Sequence, residues 1–145
     1  MDSGQLSLGT GFIVEHAAQL AQLGQRTDQV LSALQSVMER TYVFASLKTM
    51  EYLRRSGRVP GAVAALGGLL SIKPLVDLTD GVVKAIAAVR TTHQANDRLL
   101  NFLLECGPLE RLAVLHSGLE SRAREFLDVL MQKASQSVPR DILLV

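Results

Sequence analysis

Residues 47–75 read LKTMEYLRRSGRVPGAVAALGGLLSIKPL. Arg54, Arg55 and Arg58 crowd the Ser56-Gly57 turn, and the segment after it offers water almost no polar side chain. Pro60 stands where a first helical residue tolerates the missing N–H, so the spacing predicts a helix from there to about Leu70. Ala62, Ala64, Ala65, Gly67 and Gly68 keep that helix thin. Something must cover it. Either it is ordinary core, or it is one wall of a cavity whose apolar lining is Leu66, Leu69, Leu70 and Ile72. A short helix over residues 48–55, with Met50 and Leu53 inward, leads into it. Strand-like runs flank the whole block: Tyr42-Val43-Phe44-Ala45 before it, and Ile72 to Leu78 after it.

Moving outward, residues 9–23 carry Ile13, Ala17, Leu20 and Ala21 at helical spacing, and Gly24 is a stop. Thr27 is placed to cap a second helix with the stripe Val30, Leu34, Val37 and Met38. On the other side, strands 72–78 and 82–89 are joined by Asp80-Gly81. That dipeptide signals a hairpin, because both central residues of a type I′ turn need positive φ. Thr91 and Gln94 have capping-box spacing and open a helix bearing Leu99, Phe102 and Leu103, closed by Gly107-Pro108. Residues 111–116 read as a strand. Ser117 and Glu120 form a second capping box, ahead of a helix with Leu119, Ala123, Phe126, Leu127 and Leu130 on one face. Residues 141–145 are a last strand. A helix between the final two strands makes them parallel, whereas the hairpin is antiparallel. The expected class is therefore α/β: a mixed β-sheet of about five strands with helices packed on its faces.

The chain has 145 residues, 48% of them hydrophobic and 20% charged. Lys and Arg number 15 against 14 Asp and Glu, a net charge of +1. That balance argues against nucleic acid as a partner, which calls for a strongly basic face. Aromatic residues make up 4% and Trp is absent, which also leaves no base-stacking platform. The single cysteine, Cys106, excludes an internal disulfide, fits a reducing compartment, and reads as a small apolar residue at a helix end. No run approaches the ~18 uncharged apolar residues of a membrane span. The N-terminus shows no secretory pattern, so the expected location is cytoplasmic. The chain starts almost directly on a helix and stops on Leu143-Leu144-Val145, which reads as a piece of a longer protein.

Sequence motifs for catalysis are absent: no phosphate loop, no dinucleotide fingerprint, and no metal-ligand spacing among His16, His93 and His116. The reading is no enzyme, no metal and no cofactor. Gly9-Thr10-Gly11 reads as a turn at a helix start. The basic set Arg54, Arg55, Arg58, Lys73 and Arg90 is either a solvated charge cluster or a patch for an anionic head group or an acidic partner surface. Arg58 stands just before a helix N-terminus, where unpaired N–H groups favour anions.

Several motifs occur together in one order. They are Asp2-Ser3 with Ser7-x-Gly9-x-Gly11, then Thr49-x-x-Tyr52-Leu53 with Ser56-Gly57-Arg58-Val59. After these come Ala64-Ala65-Leu66-x-x-Leu69-Leu70-x-Ile72-Lys73-Pro74, then Asp80-Gly81 and Val89-Arg90-Thr91. In this the chain resembles the DegV family of bacterial fatty-acid-binding proteins, mainly its C-terminal lobe. The resemblance implies that Ser/Thr-rich loops of the family's N-terminal lobe hold the carboxylate; those loops are expected to have no counterpart in this chain before Met1, and the family's closing Gly-Thr-His-type segment none after Val145. The resemblance implies that residues 1–40 end the first lobe and residues 41–145 form the α/β second lobe. It implies a lipid-binding carrier that holds a long-chain fatty acid and presents it to a separate fatty acid kinase protein. Phe44, Leu66, Leu69, Leu70 and Ile72 would then meet the acyl chain. Ser7, Arg58, Lys73 and Arg90 would face the head group or the partner. The rival readings are an α/β protein-interaction module, a truncated and non-functional lobe prone to self-association through an exposed apolar face, and an enzyme acting on acyl groups.

Overall fold

The computed structural model describes residues 1–49, 51, 55, 57 and 72–134, and the backbone of 140–144. The helix expected between Pro60 and Leu70 lies outside the described residues, and Arg58, Leu66, Leu69 and Leu70 lie outside them too. In chain order the described elements are α1 (Leu8–Gln22), α2 (Thr27–Glu39), β1 (Phe44–Ser46), β2 (Lys73–Asp77), β3 (Lys84–Val89), α3 (Thr92–Glu105), β4 (Leu112–His116), α4 (Glu120–Ala134) and β5 (Arg140–Leu144). They divide into two compact units, Met1–Ala95 and Asn96–Val145. No described helix is long and apolar enough to cross a membrane.

In the first unit α1 and α2 pack together. Ile13 and Leu34 are buried, as their stripes predict, whereas Ala21 is exposed. Gly24 takes the left-handed φ of 74° that ends α1. Arg26, not Thr27, holds the cap position of α2, and its backbone N–H donates to Gln29 Oε1 at 3.0 Å. The strands β1, β2 and β3 form an antiparallel sheet in that order. Phe44 pairs with Asp77 at one end of β2, and Lys73 pairs with Val89 at the other. Leu75 and Val76 point to opposite faces of β2, yet both are 0% exposed, so this central strand is covered on both sides. Val76 and Val83 form a core cluster with Ala45, Leu47 and Leu78.

The Asp-Gly turn has the backbone its sequence demands: φ is 64° at Asp80 and 70° at Gly81. The loop is longer than expected, and the strands stop at Asp77 and restart at Lys84. Two bonds hold the first two of the intervening residues. Thr79 N–H donates to Asp77 Oδ1 at 2.8 Å, and Leu78 N–H donates to Val43 O at 2.8 Å. The α3 capping box forms, with Gln94 N–H donating to Thr91 Oγ1 at 3.1 Å and Thr91 N–H to Gln94 Oε1 at 3.4 Å.

In the second unit β4 and β5 are parallel, from Leu112 opposite Arg140 to His116 opposite Leu144. The helix α4 packs on both strands. Leu100, Leu112, Leu127 and Leu130 form the core there. Leu119, expected on the inward stripe, is 51% exposed, because α4 begins one residue later, at Glu120. The class is α/β with both strand directions, as expected. The five described strands are shared between a three-stranded antiparallel sheet and a two-stranded parallel one. Pairing between distant strands is the one feature that local pattern does not encode.

Candidate functional site

The most unusual backbone in the described chain is at Ser7, with φ 51° and ψ −127°. A side chain at that φ clashes with its own backbone, at a cost of about 1–3 kcal/mol. The other non-glycine residue with positive φ is Asp80, which sits in the left-handed region that Asp tolerates. Ser7 has no such excuse. It is exposed, immediately precedes α1, and makes no side-chain cap bond to that helix. The first turn of α1 carries no acidic residue, so the positive end of a 15-residue helix is not neutralised from within.

The turn is held from beneath. Gln5 N–H donates to Ser3 Oγ at 3.2 Å, and Thr10 Oγ1–H donates to Gln5 O at 2.8 Å. Thr10 has then spent its proton, so in the 3.2 Å contact between the two hydroxyls Ser3 is the donor. The three bonds close a ring around Gln5. Gln5 is 9% exposed, and its Nε2 donates to Thr41 O at 3.1 Å, tying the turn to the chain entering β1. Gln5 Oε1 is buried with no partner.

Gly9, read from sequence as turn punctuation, lies inside α1 and is buried. It is there for closeness. A Cβ at Gly9 would stand 2.7 Å from Val43 Cγ2 and 3.0 Å from Gln5 Oε1. The hairpin turn closes on the same region, since a Cβ on Gly81 would lie 3.6 Å from Gly4 O. Val43 N–H also donates to Thr79 Oγ1 at 3.3 Å. Nearby carboxylates are engaged: Asp2 Oδ1 accepts from Gly4 N–H at 3.0 Å, and Asp80 pairs with Lys84 at 3.2 Å.

The residues expected to bind ligand therefore fall into two groups. Ser7 and Phe44 belong to the end of the sheet where β1 starts and β2 stops. Phe44 is half-buried and stacks on Tyr42, with ring centroids 6.3 Å apart. Ile72, Lys73 and Arg90 gather at the other end, because Lys73 pairs with Val89. Ile72 and Lys73 are half-buried and Arg90 is exposed. Four residue steps along β2 separate the ends, about 14 Å. Ser7 and the two cations thus do not converge on one anion. Arg55, from the same basic set, is held locally by Glu51 at 2.8 Å. Sequence reasoning missed Gln5 altogether.

The family model described as "Uncharacterised protein, DegV family" matches residues 1–143. A DegV domain-containing protein of Streptomyces coelicolor is 30% identical over 135 residues, which is 92% of this chain and 48% of that one. The chain thus spans about half the length of that relative. Among solved structures, a fatty acid binding DegV family protein of Streptococcus agalactiae superposes with a TM-score of 0.86 at 26% identity, covering 99% of this chain and 52% of its own. The fatty acid kinase B3 protein of Streptococcus pneumoniae, loaded with linoleic acid, shares the fold with a TM-score of 0.86 at 18% identity, again over 99% of this chain and 52% of its own. With the family model spanning nearly every residue, this chain belongs to the DegV family.

Proposed function

We propose that this chain is the part of a fatty-acid carrier that lines the site of a long-chain acid, with the Ser7 turn on its head-group side. The observation that carries the reading is the strained Ser7 backbone, which leaves a hydroxyl uncapped at the start of a 15-residue helix. Strain of that size persists where the surroundings enforce it, and it collects at ligand clamps. A helix start offers N–H donors and a positive field to an anion, and Ser7 Oγ–H adds one more donor. The fatty-acid-binding description of the Streptococcus agalactiae relative supports the ligand class.

The acyl chain would leave this head-group site along Phe44. Ile72, Leu66, Leu69 and Leu70 are the remaining candidates for its lining. Each buried methylene contributes about 0.8 kcal/mol, so a long tail is held without a covalent link. Lys73 and Arg90, some way from Ser7 along β2, suit a partner-facing role. The fatty acid kinase description of the Streptococcus pneumoniae relative supports a kinase as that partner. The carrier itself would perform no chemistry and would act in the cytoplasm. In this reading residues 1–40 end the first lobe of the family fold and residues 41–145 form the second.

Solvent extraction of the purified chain followed by mass spectrometry tests the proposal. A long-chain fatty acid in the extract, or its capture when added to the delipidated chain, is the expected result. An empty extract together with no uptake of added acid removes the carrier reading and leaves a protein-interaction module.

A further inference from the structure

We propose that the sheet end where β2 begins docks an acidic, extended segment of a partner protein, and that Lys48 belongs to this surface beside Lys73 and Arg90. The inference deepens the partner-facing reading of Lys73 and Arg90 and rests on it. Lys48 enters through the register of the sheet. Phe44 faces Asp77 and Ser46 faces Leu75, and the next bond of that ladder runs from Leu47 N–H to Pro74 O at 2.9 Å. One residue further on, Lys48 falls beside Lys73. Residues opposite each other in an antiparallel pair share a face, with Cβ atoms about 5 Å apart, and like charges so placed repel. Among the described residues, the side chains of Lys48, Lys73 and Arg90 form no ion pair and no hydrogen bond that would relieve this. The other end of the same sheet treats its lysine differently, because Lys84 pairs with Asp80 at 3.2 Å.

The spread of the charges selects the partner. Lys48 and Lys73 share a face. Arg90 follows Val89, which pairs with Lys73, so strand alternation turns it to the other face. Neighbouring strands lie about 4.8 Å apart, and the cations therefore extend across three strands, about 10 Å, without meeting at a point. One phosphate or one carboxylate cannot serve them all. A strand-like segment with several carboxylates can, and charges at such a rim act mainly on encounter rate and salt dependence. A bilayer is a poor match, because it takes up apolar side chains alongside the charges. Leu47 and Ile72 here are half-buried, whereas Tyr42 and Val82, the exposed large apolar residues that flank the strands, stand at the opposite end.

The test uses the full chain and a fluorescein-labelled peptide of alternating glutamate and serine, followed by anisotropy at low ionic strength. The wild-type chain should bind the peptide, and added salt should weaken binding steeply. Lys48→Gln and Lys73→Gln should each weaken it by up to about fivefold, the scale of one exposed charge pair. Lys84→Gln, at the far end of the sheet, should leave it unchanged. In the free chain Lys48→Glu should raise the thermal midpoint, because it turns a repulsion into a pair with Lys73, and Lys48→Gln should raise it less. Midpoints that stay level or fall in both variants would mean that Lys48 does not stand beside Lys73, and would overturn the proposal. Peptide binding that Lys73→Gln weakens but Lys48→Gln leaves intact would also overturn it, while keeping the partner-facing reading of Lys73. If the wild-type chain ignores the peptide, or Lys73→Gln has no effect, that earlier reading itself fails. Full displacement of the peptide by inorganic phosphate would make this a small-anion site. Preferential capture of the chain by phosphatidylglycerol vesicles would make it a membrane surface. Either result overturns the proposal.

Discussion

Two helices that start within the first unit begin in opposite ways. At α3, Thr91 and Gln94 satisfy each other's backbone N–H groups, and the helix start is closed. At α1, Ser7 has a hydroxyl equally able to cap, yet its backbone turns it to φ 51° and ψ −127° with no cap bond. The first arrangement contributes stability; the second gives it up. Around Ser7 lie the ring through Ser3, Gln5 and Thr10, the bond from Gln5 to Thr41, and the bare Cα of Gly9 against Val43. A start that is merely structural needs two residues. One that keeps a donor free for something else is supported by three segments of chain.

The largest break in the contrast should come from Gly9→Ala. The new methyl would lie 2.7 Å from Val43 Cγ2, and overpacking of this kind costs about 1–3 kcal/mol. Thermal or urea unfolding would show it, and Val43→Ala in the same chain should recover part of the loss. If Gly9→Ala is neutral, the close approach of α1 to Val43 is not a constraint. Next is Thr91→Ala, which removes a true cap. It should cost about 1 kcal/mol and leave fatty-acid binding unchanged, which a denaturation curve and a binding isotherm check together. Ser7→Gly should move the other way. Glycine accepts positive φ freely, so stability should rise by roughly 1 kcal/mol while affinity for a free acid falls. A variant that gained neither stability nor lost affinity would place Ser7 with the ordinary caps.

The smallest effect concerns a third helix start. Glu120 opens α4, and its carboxyl group is held below the ordinary value, first by the hydrogen bond from Arg124 and then by that residue's charge. A lowered folded-state value means the contribution is present above the unfolded value, about pH 4.3, and is lost as pH falls through the folded one. The pair is exposed and so worth little. Arg124→Gln should flatten this acid-side slope slightly and leave neutral-pH stability nearly unchanged.

What could be read from sequence was local. The positive φ of Asp80 and Gly81 follows from two adjacent residues, and the Thr91–Gln94 box from a spacing of three. The burial of Ile13, Leu34 and Leu130 follows from a single helical stripe. What escaped was contact between distant segments. Gln5 and Thr41 are 36 residues apart, and nothing near Gln5 announces the bond. The same holds for the division of the strands between two sheets, and for the placing of Ser7 and Lys73 at opposite ends of β2. Ser7 was legible as a residue of interest through its resemblance motif. Its strain was not, because backbone conformation at a single serine is set by what packs beneath it.

Binding of a fatty acid labelled with carbon-13 at its carboxyl group, followed by isotope-filtered NMR, tests the central claim most directly. The account predicts that the labelled carbon shows contacts to Ser7 and the first amides of α1, and that Ser7→Gly shifts its resonance. A labelled carbon found beside Lys73 and Arg90, with Ser7 undisturbed, would contradict it.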